Sequence, residues 1–171
     1  MSASGAALPE HDARNAARFV ERFADGWAGP HPERLLALLH PEVRLFQPIF
    51  APTTGRAAAD AGFFRPLLRF LPDLRIEVAR WSALGDVVFI EWTASATLAG
   101  RPLRWSGVDR FLLVEEQAIE RVSYFDALPL FMAVLLRPSC WPRFWRSGVG
   151  RPWRKMLAGA PAVSRPGPRA R

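Results

Sequence analysis

The chain has 171 residues, half of them hydrophobic and seven of them Trp, which excludes an intrinsically disordered protein and allows one domain with a real core. The net charge of +7 is unevenly placed, because residues 127–171 carry nine Arg or Lys and no Asp or Glu. Residues 1–126 hold 14 basic and 16 acidic residues, so the basic character that indicates nucleic acid or anionic lipid belongs to the tail alone.

The cysteine count and the hydropathy indicate the compartment. A single cysteine, Cys140, excludes an intramolecular disulfide and has no partner at metal-ligand spacing. Residues 1–12 lack a basic region followed by an apolar run, so a flexible N-terminus without a signal peptide is predicted. The longest apolar run, residues 127–136, is shorter than the roughly 20 residues of a membrane span. We therefore expect a cytoplasmic protein, with peripheral membrane attachment as an alternative.

Two helices are predicted at the start of the chain. Apolar residues recur at three- and four-residue steps over residues 13–27, the pattern of an amphipathic helix. Pro32 then begins a short second helix over residues 33–39, with proline in its first turn. His40 follows that helix, where a histidine commonly interacts with the helix dipole.

The next elements are a strand and a third helix. From Val43 the apolar period changes to two, and Pro48 and Pro52 end the strand. Helical spacing returns over residues 55–71, with a turn or kink expected at Pro66. One face of the predicted strand carries Val43, Leu45, Gln47 and Ile49.

Four more strands are predicted over residues 74–81, 87–98, 103–114 and 119–126. The breaks between them are short and polar, which suits antiparallel hairpins rather than helical crossovers. Helices followed by a meander of strands predict an α+β fold with helices on one face of an antiparallel sheet.

The long hairpin of Trp105-Ser-Gly-Val-Asp-Arg-Phe111 and Ile119-Glu-Arg-Val-Ser-Tyr-Phe-Asp126, with the element order, resembles the nuclear transport factor 2 superfamily, and within it the SnoaL-like proteins. The resemblance implies a cone-shaped, strongly curved antiparallel sheet with three N-terminal helices packed on its concave face, over residues 13–128. Similar proteins include polyketide cyclases, ketosteroid isomerase, limonene epoxide hydrolase and non-enzymatic binding subunits, so the fold alone does not give function.

Asp109 is the first candidate for chemistry, because period-two counting places it on one face with Trp105 and Phe111. A carboxylate among aromatic rings is costly unless it is protonated or hydrogen-bonded, and a protonated one can donate to a developing oxyanion. The resemblance to ketosteroid isomerase implies that role, although Gln47 stands where its base is expected and Phe19 or Phe23 where a Tyr is expected. The alternative is a structural carboxylate bound by a Trp or an Arg.

Asp126 is the second candidate, predicted on one face with Val122 and Tyr124 at the end of the last strand. The resemblance to limonene epoxide hydrolase, whose last strand ends in a similar Tyr-Phe-Asp, implies an Asp that holds water. From its position beside Asp126, Tyr124 is expected to donate a hydrogen bond there. The partners of that Asp, however, match Trp92 and an alanine in this chain. The alternative is an Asp that caps the following turn or helix.

The inward aromatic residues Phe19, Trp92, Trp105 and Phe111 are either core or the lining of an apolar pocket in which Gln47 binds a carbonyl or a water. We predict a cofactor-free acid/base enzyme of the isomerase, cyclase or hydrolase type acting on a hydrophobic small molecule. The alternative is a non-catalytic binding protein or an interaction module, and a homodimer through the outer face of the sheet is expected in either case. No metal site or cofactor is predicted.

The last part of the chain is predicted to be a basic, Trp-rich, partly helical extension over residues 129–159 and a disordered tail over residues 160–171. Residues 137–155 interleave Arg with Trp and suit an anionic membrane surface, whereas nucleic acid is not predicted as a partner. The alternative is that residues 130–144 pack across the sheet or the pocket mouth with their Arg groups in solvent.

Overall fold

The computed structural model of the protein describes residues 10–149. The predicted disordered tail and most of the predicted flexible N-terminus lie outside those residues. The helices are α1 (Glu10–Ala28), α2 (Pro32–Leu36), α3 (Arg56–Ala59), α4 (Arg65–Phe70), α5 (Leu128–Leu135) and α6 (Trp141–Ser147). The strands are β1 (Leu39–Gln47), β2 (Phe50–Thr54), β3 (Arg75–Leu84), β4 (Val87–Leu98), β5 (Arg101–Val114) and β6 (Gln117–Tyr124).

The six strands form one curved, unclosed sheet in the order β2-β1-β6-β5-β4-β3, which confirms the predicted α+β fold. Strands β3 to β6 form the predicted antiparallel meander. The prediction of a purely antiparallel sheet is wrong, because β1 lies parallel to β6. These two strands are joined through the rest of the sheet rather than by a hairpin, so no turn imposes an antiparallel direction.

Two local predictions around β1 are also wrong. Helix α2 ends at Leu36 and β1 already begins at Leu39, so His40 lies in a strand, where its Nδ1 accepts a hydrogen bond from the backbone N–H of Glu42 at 3.2 Å. Pro52, expected to end the strand, lies within β2. Proline is tolerated there because β2 is an edge strand of the sheet.

The helix predicted over residues 55–71 is interrupted near Pro66, as the sequence predicts. A π-helical turn, Asp60–Phe64, separates α3 from α4, and the wider turn lies immediately before Pro66. Proline in a regular helix clashes with the carbonyl four residues earlier, and a wider turn relieves that clash. Phe63 and Phe64, in the π-helical turn, are both buried.

In β6, the residues predicted to face inward face outward, and the residues between them face inward. Leu112 pairs with Glu120 but Leu113 pairs with Ala118, so Ile119 is an extra residue that forms a β-bulge. An extra residue exchanges the two faces of a strand beyond it. Arg121 and Ser123 are therefore buried on the inner face, and Tyr124 points outward.

The aromatic core lies under α1. Phe111 of β5 meets Phe19 and Phe23 of α1 edge to face, with ring centroids 4.9 Å and 5.6 Å apart. All three rings are buried. The void beside this cluster measures only about 10 Å³, so the fold is packed solid here.

Candidate ligand-binding cavity

A cavity of about 460 Å³ lies between the concave face of the sheet, helix α4 and the C-terminal helices α5 and α6. Its volume falls within the range of small-molecule sites. Its wall is almost entirely apolar, and five of the seven Trp residues line it. These are Trp27, Trp92, Trp105, Trp141 and Trp145.

The polar residues of the cavity wall come from two adjacent strands. They are Gln47 of β1 and Arg121 and Ser123 of β6. Phe46 pairs with Val122 in the parallel β1–β6 ladder, so Gln47 and Ser123 follow side by side. Among the described residues that line the cavity, Arg121 is the only one with an ionisable side chain.

Arg121 is held by a buried ion pair with Asp109. Its Nε donates a hydrogen bond to Oδ2 of Asp109 at 2.8 Å, and its Nη2 lies 2.7 Å from the same oxygen in the ion pair. The guanidinium also lies 5.3 Å from the centroid of the Phe63 ring and 5.9 Å from that of Phe111, within cation–π range. These contacts fix the cation between the packed aromatic core and the open cavity, since Arg121 borders both voids.

Four buried polar side-chain atoms in this region have no hydrogen-bond partner within residues 10–149. They are Gln47 Nε2, Trp92 Nε1, Ser123 Oγ and Asp109 Oδ1. The first three belong to residues of the cavity wall. Buried polar atoms are rarely left unpaired, and such groups on a cavity wall can satisfy a polar ligand.

The predicted site residues divide into three groups. Gln47, Trp92 and Trp105 line the cavity. Phe19 and Phe111 belong to the packed core beside it, and Asp109 is fully buried behind Arg121.

Tyr124 and Asp126 form the third group, placed away from the cavity wall. Tyr124 is 55 % exposed on the outer face of β6, because the bulge turns its side chain outward. Asp126 is exposed and its Oδ1 accepts a hydrogen bond from the backbone N–H of Leu128 at 2.9 Å, at the start of α5. This hydrogen bond closes the turn before α5, which is the arrangement that the capping alternative describes for Asp126.

The model of the SnoaL-like domain family matches residues 20–122. The chain belongs to the SnoaL-like family. A search of curated proteins finds no match.

Solved structures show the same fold as this SnoaL-like chain. A candidate SnoaL-like polyketide cyclase from Jannaschia sp. CCS1 is 20 % identical, with a TM-score of 0.65 over 76 % of this chain and 97 % of its own. TerC, co-crystallised with polyporic acid, is 18 % identical, with a TM-score of 0.64 over 71 % of this chain and 98 % of its own. An epoxide hydrolase of M. tuberculosis, similar to limonene epoxide hydrolase, is 19 % identical, with a TM-score of 0.59 over 77 % and 96 %.

The C-terminal helices close one side of the SnoaL-like cavity. Trp141 Nε1 donates to the carbonyl oxygen of Val134 at 2.9 Å, and Arg143 Nε donates to that of Arg69 at 3.1 Å. The ring of Phe144 meets that of Phe70 edge to face at 5.4 Å. Residues 130–144 therefore pack over the cavity, as one of the two sequence-based alternatives predicts.

An exposed carboxylate, Asp73, lies within electrostatic range of this C-terminal segment. Burial acts to raise the pKa of Asp73, but hydrogen bonds from the side chain and backbone of Thr97 and the charge of Arg143 outweigh it and hold that pKa below its ordinary value. The charge of Asp73 thus favours the position of α6 near the segment before β3.

Arg121 and Ser123 are the site residues that the sequence pattern missed. Counting the β5–β6 hairpin from its turn without a bulge places Val122 and Tyr124 opposite the inward residues of β5, and the extra residue Ile119 invalidates that count. One signal was available. A buried Asp109 requires a cation, and Arg121 and Arg110 are the basic residues of this hairpin nearest to it in register.

Gly107 allows close packing between β5 and the neighbouring side of the cavity wall. A Cβ atom on Gly107 would lie 2.7 Å from Cζ2 of Trp92 and 2.8 Å from the carbonyl oxygen of Tyr124. The glycine therefore lets the indole of Trp92 and the backbone of Tyr124 approach β5 closely.

Proposed function

We propose that this SnoaL-like chain binds a hydrophobic small molecule that carries at least one carbonyl, phenolate or carboxylate oxygen. The observation that carries the proposal is the cavity wall, which over residues 10–149 is apolar except for a single cation and a few unpaired polar atoms on neighbouring strands. Aromatic rings supply contact area, and the polar groups fix the orientation of the ligand. The ligand oxygen lies beside Arg121 and Ser123.

The pairing of Arg121 suits it to receive an oxygen. Nε and Nη2 are engaged by Asp109, which leaves Nη1 outside these two contacts. A guanidinium whose orientation is fixed loses little further freedom when it binds an anionic oxygen. Such a charge-assisted hydrogen bond is worth about 1.5–3 kcal/mol, or about 10- to 150-fold in affinity.

The test compares two ligands of similar shape. Quenching of Trp fluorescence by 2-naphthoate and by 2-methylnaphthalene reports binding, because Trp residues surround the cavity. We expect 2-naphthoate to bind at least about tenfold more tightly. Asp109→Leu/Arg121→Met removes the cation together with its buried partner and should abolish the preference while retaining binding of 2-methylnaphthalene. Ser123→Ala, the matched control at the same wall, should reduce it only slightly.

Two results would reject this proposal. If neither compound changes the fluorescence at saturating concentration, the cavity does not bind apolar molecules. If the double variant keeps the preference for 2-naphthoate, Arg121 is not the group that receives the oxygen.

A second candidate is the cofactor-free acid/base enzyme predicted from the sequence. It is favoured by Oδ1 of Asp109, which is unpaired within the described part of the chain and can take up a proton. In an isomerase of this kind, Oδ1 accepts a proton from the carbon next to a carbonyl, Arg121 holds the enolate oxygen, and the proton returns to carbon. Asp109 itself is absent from the cavity wall, so binding is the better-supported function.

Proton exchange separates the two candidates. Incubation of 2-acetylnaphthalene with the protein in D₂O, followed by NMR, measures deuterium uptake at the methyl group. The enzyme candidate predicts uptake faster than in buffer and lost in Asp109→Asn. The binding candidate predicts uptake no faster than in buffer. Association of two copies through the outer face of the sheet and a cytoplasmic location remain predictions.

A further inference from the structure

The C-terminal helices expose apolar side chains to solvent. Every residue of α5 is apolar, and none is buried. One side of the helix faces the cavity through Leu130, Phe131 and Val134. The other side exposes Leu128, Met132 and Leu136, of which Leu136 is 71 % accessible to solvent. A helix that is apolar all round normally requires a cover on both sides.

Cationic and indole groups follow this apolar side in the next helix, α6. Arg143 and Arg146 of α6 are exposed, as are the indoles of Trp141 and Trp145. No Asp or Glu occurs between residues 127 and 149. Leucine and methionine flanked by Trp and Arg match the layers of a lipid surface, where apolar chains lie below Trp and cations contact phosphate groups.

We propose that the outer side of α5 and α6 docks onto an anionic phospholipid bilayer. We name it the C-terminal surface, comprising Leu128, Met132, Leu136, Trp141, Trp145 and Arg146. Charge complementarity distinguishes this occupant from a second copy, because a purely apolar contact between copies would not need the cations. No helix of residues 10–149 is long and apolar enough to cross a membrane, so the contact is peripheral.

The position of this surface also bears on the cavity. Leu135, Trp141 and Trp145 are exposed and at the same time line the cavity. The wall between the bilayer and the cavity is therefore one layer of side chains. If the chain binds a hydrophobic molecule, as the proposed function states, a ligand dissolved in the bilayer enters the cavity between these side chains.

Vesicle flotation tests the docking itself. The full chain should float with vesicles of phosphatidylcholine and phosphatidylglycerol and remain behind with phosphatidylcholine alone. Binding should weaken steeply as salt rises from about 0.05 to about 0.5 M. If the chain does not bind the anionic vesicles, or binds both kinds equally at every salt concentration, the proposal is wrong.

Matched variants assign the binding to the C-terminal surface. Met132→Gln/Leu136→Gln removes apolar side chains that do not line the cavity and should lower the partition coefficient at least about tenfold. Its control is Leu84→Gln, which alters an apolar residue that is 73 % exposed. Leu84 pairs with Val87 at the start of β4, whereas Arg137 of the C-terminal segment contacts Leu98 at the other end of that strand. Arg146→Gln should lower the partition about fivefold, whereas Arg34→Gln on α2 removes the same charge without effect. Equal losses in variants and controls would contradict the assignment.

Two further measurements identify other occupants. If the chain is a dimer that Met132→Gln/Leu136→Gln dissociates, a second copy covers the surface and the proposal is wrong. If Met132 in the vesicle-free monomer resists oxidation by peroxide, residues 150–171 of the same chain cover it, and the proposal is equally wrong. Rapid oxidation of Met132 that anionic vesicles suppress supports it.

Entry from the bilayer is tested separately, so that its failure is distinguishable from that of the proposed function. Energy transfer from Trp to 1-pyrenebutyrate carried in anionic vesicles measures delivery. We expect Met132→Gln/Leu136→Gln to slow delivery about tenfold while leaving affinity in vesicle-free solution unchanged. Flotation without any binding of 1-pyrenebutyrate would reject the proposed function and leave docking intact. Binding whose delivery rate is the same in the variant would reject entry from the bilayer.

Discussion

Asp109 and Arg121 show what a single buried ion pair does for this fold. Both side chains are almost completely inaccessible to solvent, so each is tolerated only because the other is present. Period-two counting along β5 predicts the inward position of Asp109 from the sequence. The partner was not predictable in the same way, because the β-bulge at Ile119 changes which residues of β6 face it.

The ion pair predicts a strong coupling between the two positions. Asp109→Leu and Arg121→Met should each lower the free energy of unfolding by about 3–5 kcal/mol, since each leaves one unpaired charge in the interior. The double variant should lose much less than the sum, because no unpaired charge remains. Urea unfolding of the four proteins measures the coupling. Additive losses would show that the two side chains do not stabilise each other.

At the level of elements, the strands of the meander were the most predictable part of the chain. Residues 87–98 form β4 with the predicted limits, because strict alternation and polar turns specify both the strand and its ends. The weakest predictions concern β2 and the start of β1. In β2, the position at the edge of the sheet tolerates the proline that the sequence pattern treats as the end of a strand. At the start of β1, pairing of Leu39 with Ala118 of β6 overrides the local signal for a helix.

The turn between α5 and α6 contains a cysteine that reports on the C-terminal helices. Burial raises the pKa of the Cys140 thiol, although a backbone hydrogen bond and the charge of Arg137 act in the opposite direction. The thiol Sγ also donates to the carbonyl oxygen of Val134 at 3.9 Å. Reaction of Cys140 therefore requires these helices to separate from the sheet, or the thiol to ionise in place.

Labelling with a disulfide reagent should be at least about tenfold slower at pH 8 in the native protein than in urea. Because the folded pKa lies above the ordinary value of 9.0, the neutral thiol stabilises the folded state below pH 9. That contribution is lost as the pH rises through the folded pKa, so labelling of the native protein should accelerate above pH 9. Native and unfolded chains that react equally fast at pH 8 would contradict the packing of this turn.

The whole molecule combines a packed region with an open one. Under α1 the rings of Phe19, Phe23 and Phe111 fill the space completely, whereas beyond Arg121 the same sheet encloses a cavity. Composition and element order predict the fold class, because both follow from local patterns. Neither predicts where the interior is left unfilled, since that depends on how far α4, α5 and α6 stand from the sheet.

This division predicts opposite effects for two aromatic residues. Phe111→Ala should lower the free energy of unfolding by about 3–5 kcal/mol, because it leaves a hole in the packed region. Trp145→Ala should change it by less than about 0.5 kcal/mol, because that side chain is 60 % exposed, yet it should weaken binding of 2-naphthoate. Unfolding followed by circular dichroism and binding followed by calorimetry measure the two effects. Similar losses of stability would contradict the division.

The extra residue at Ile119 decides which side chains of β6 face the interior of this protein. Deleting that one codon would restore an unbulged hairpin and exchange the faces of everything that follows in β6. Arginine and serine would then face outward, and a valine and a phenol would replace them inside. Such a deletion would also take the cation away from Asp109, so a change of ligand chemistry by this route requires a neutral residue at position 109 as well.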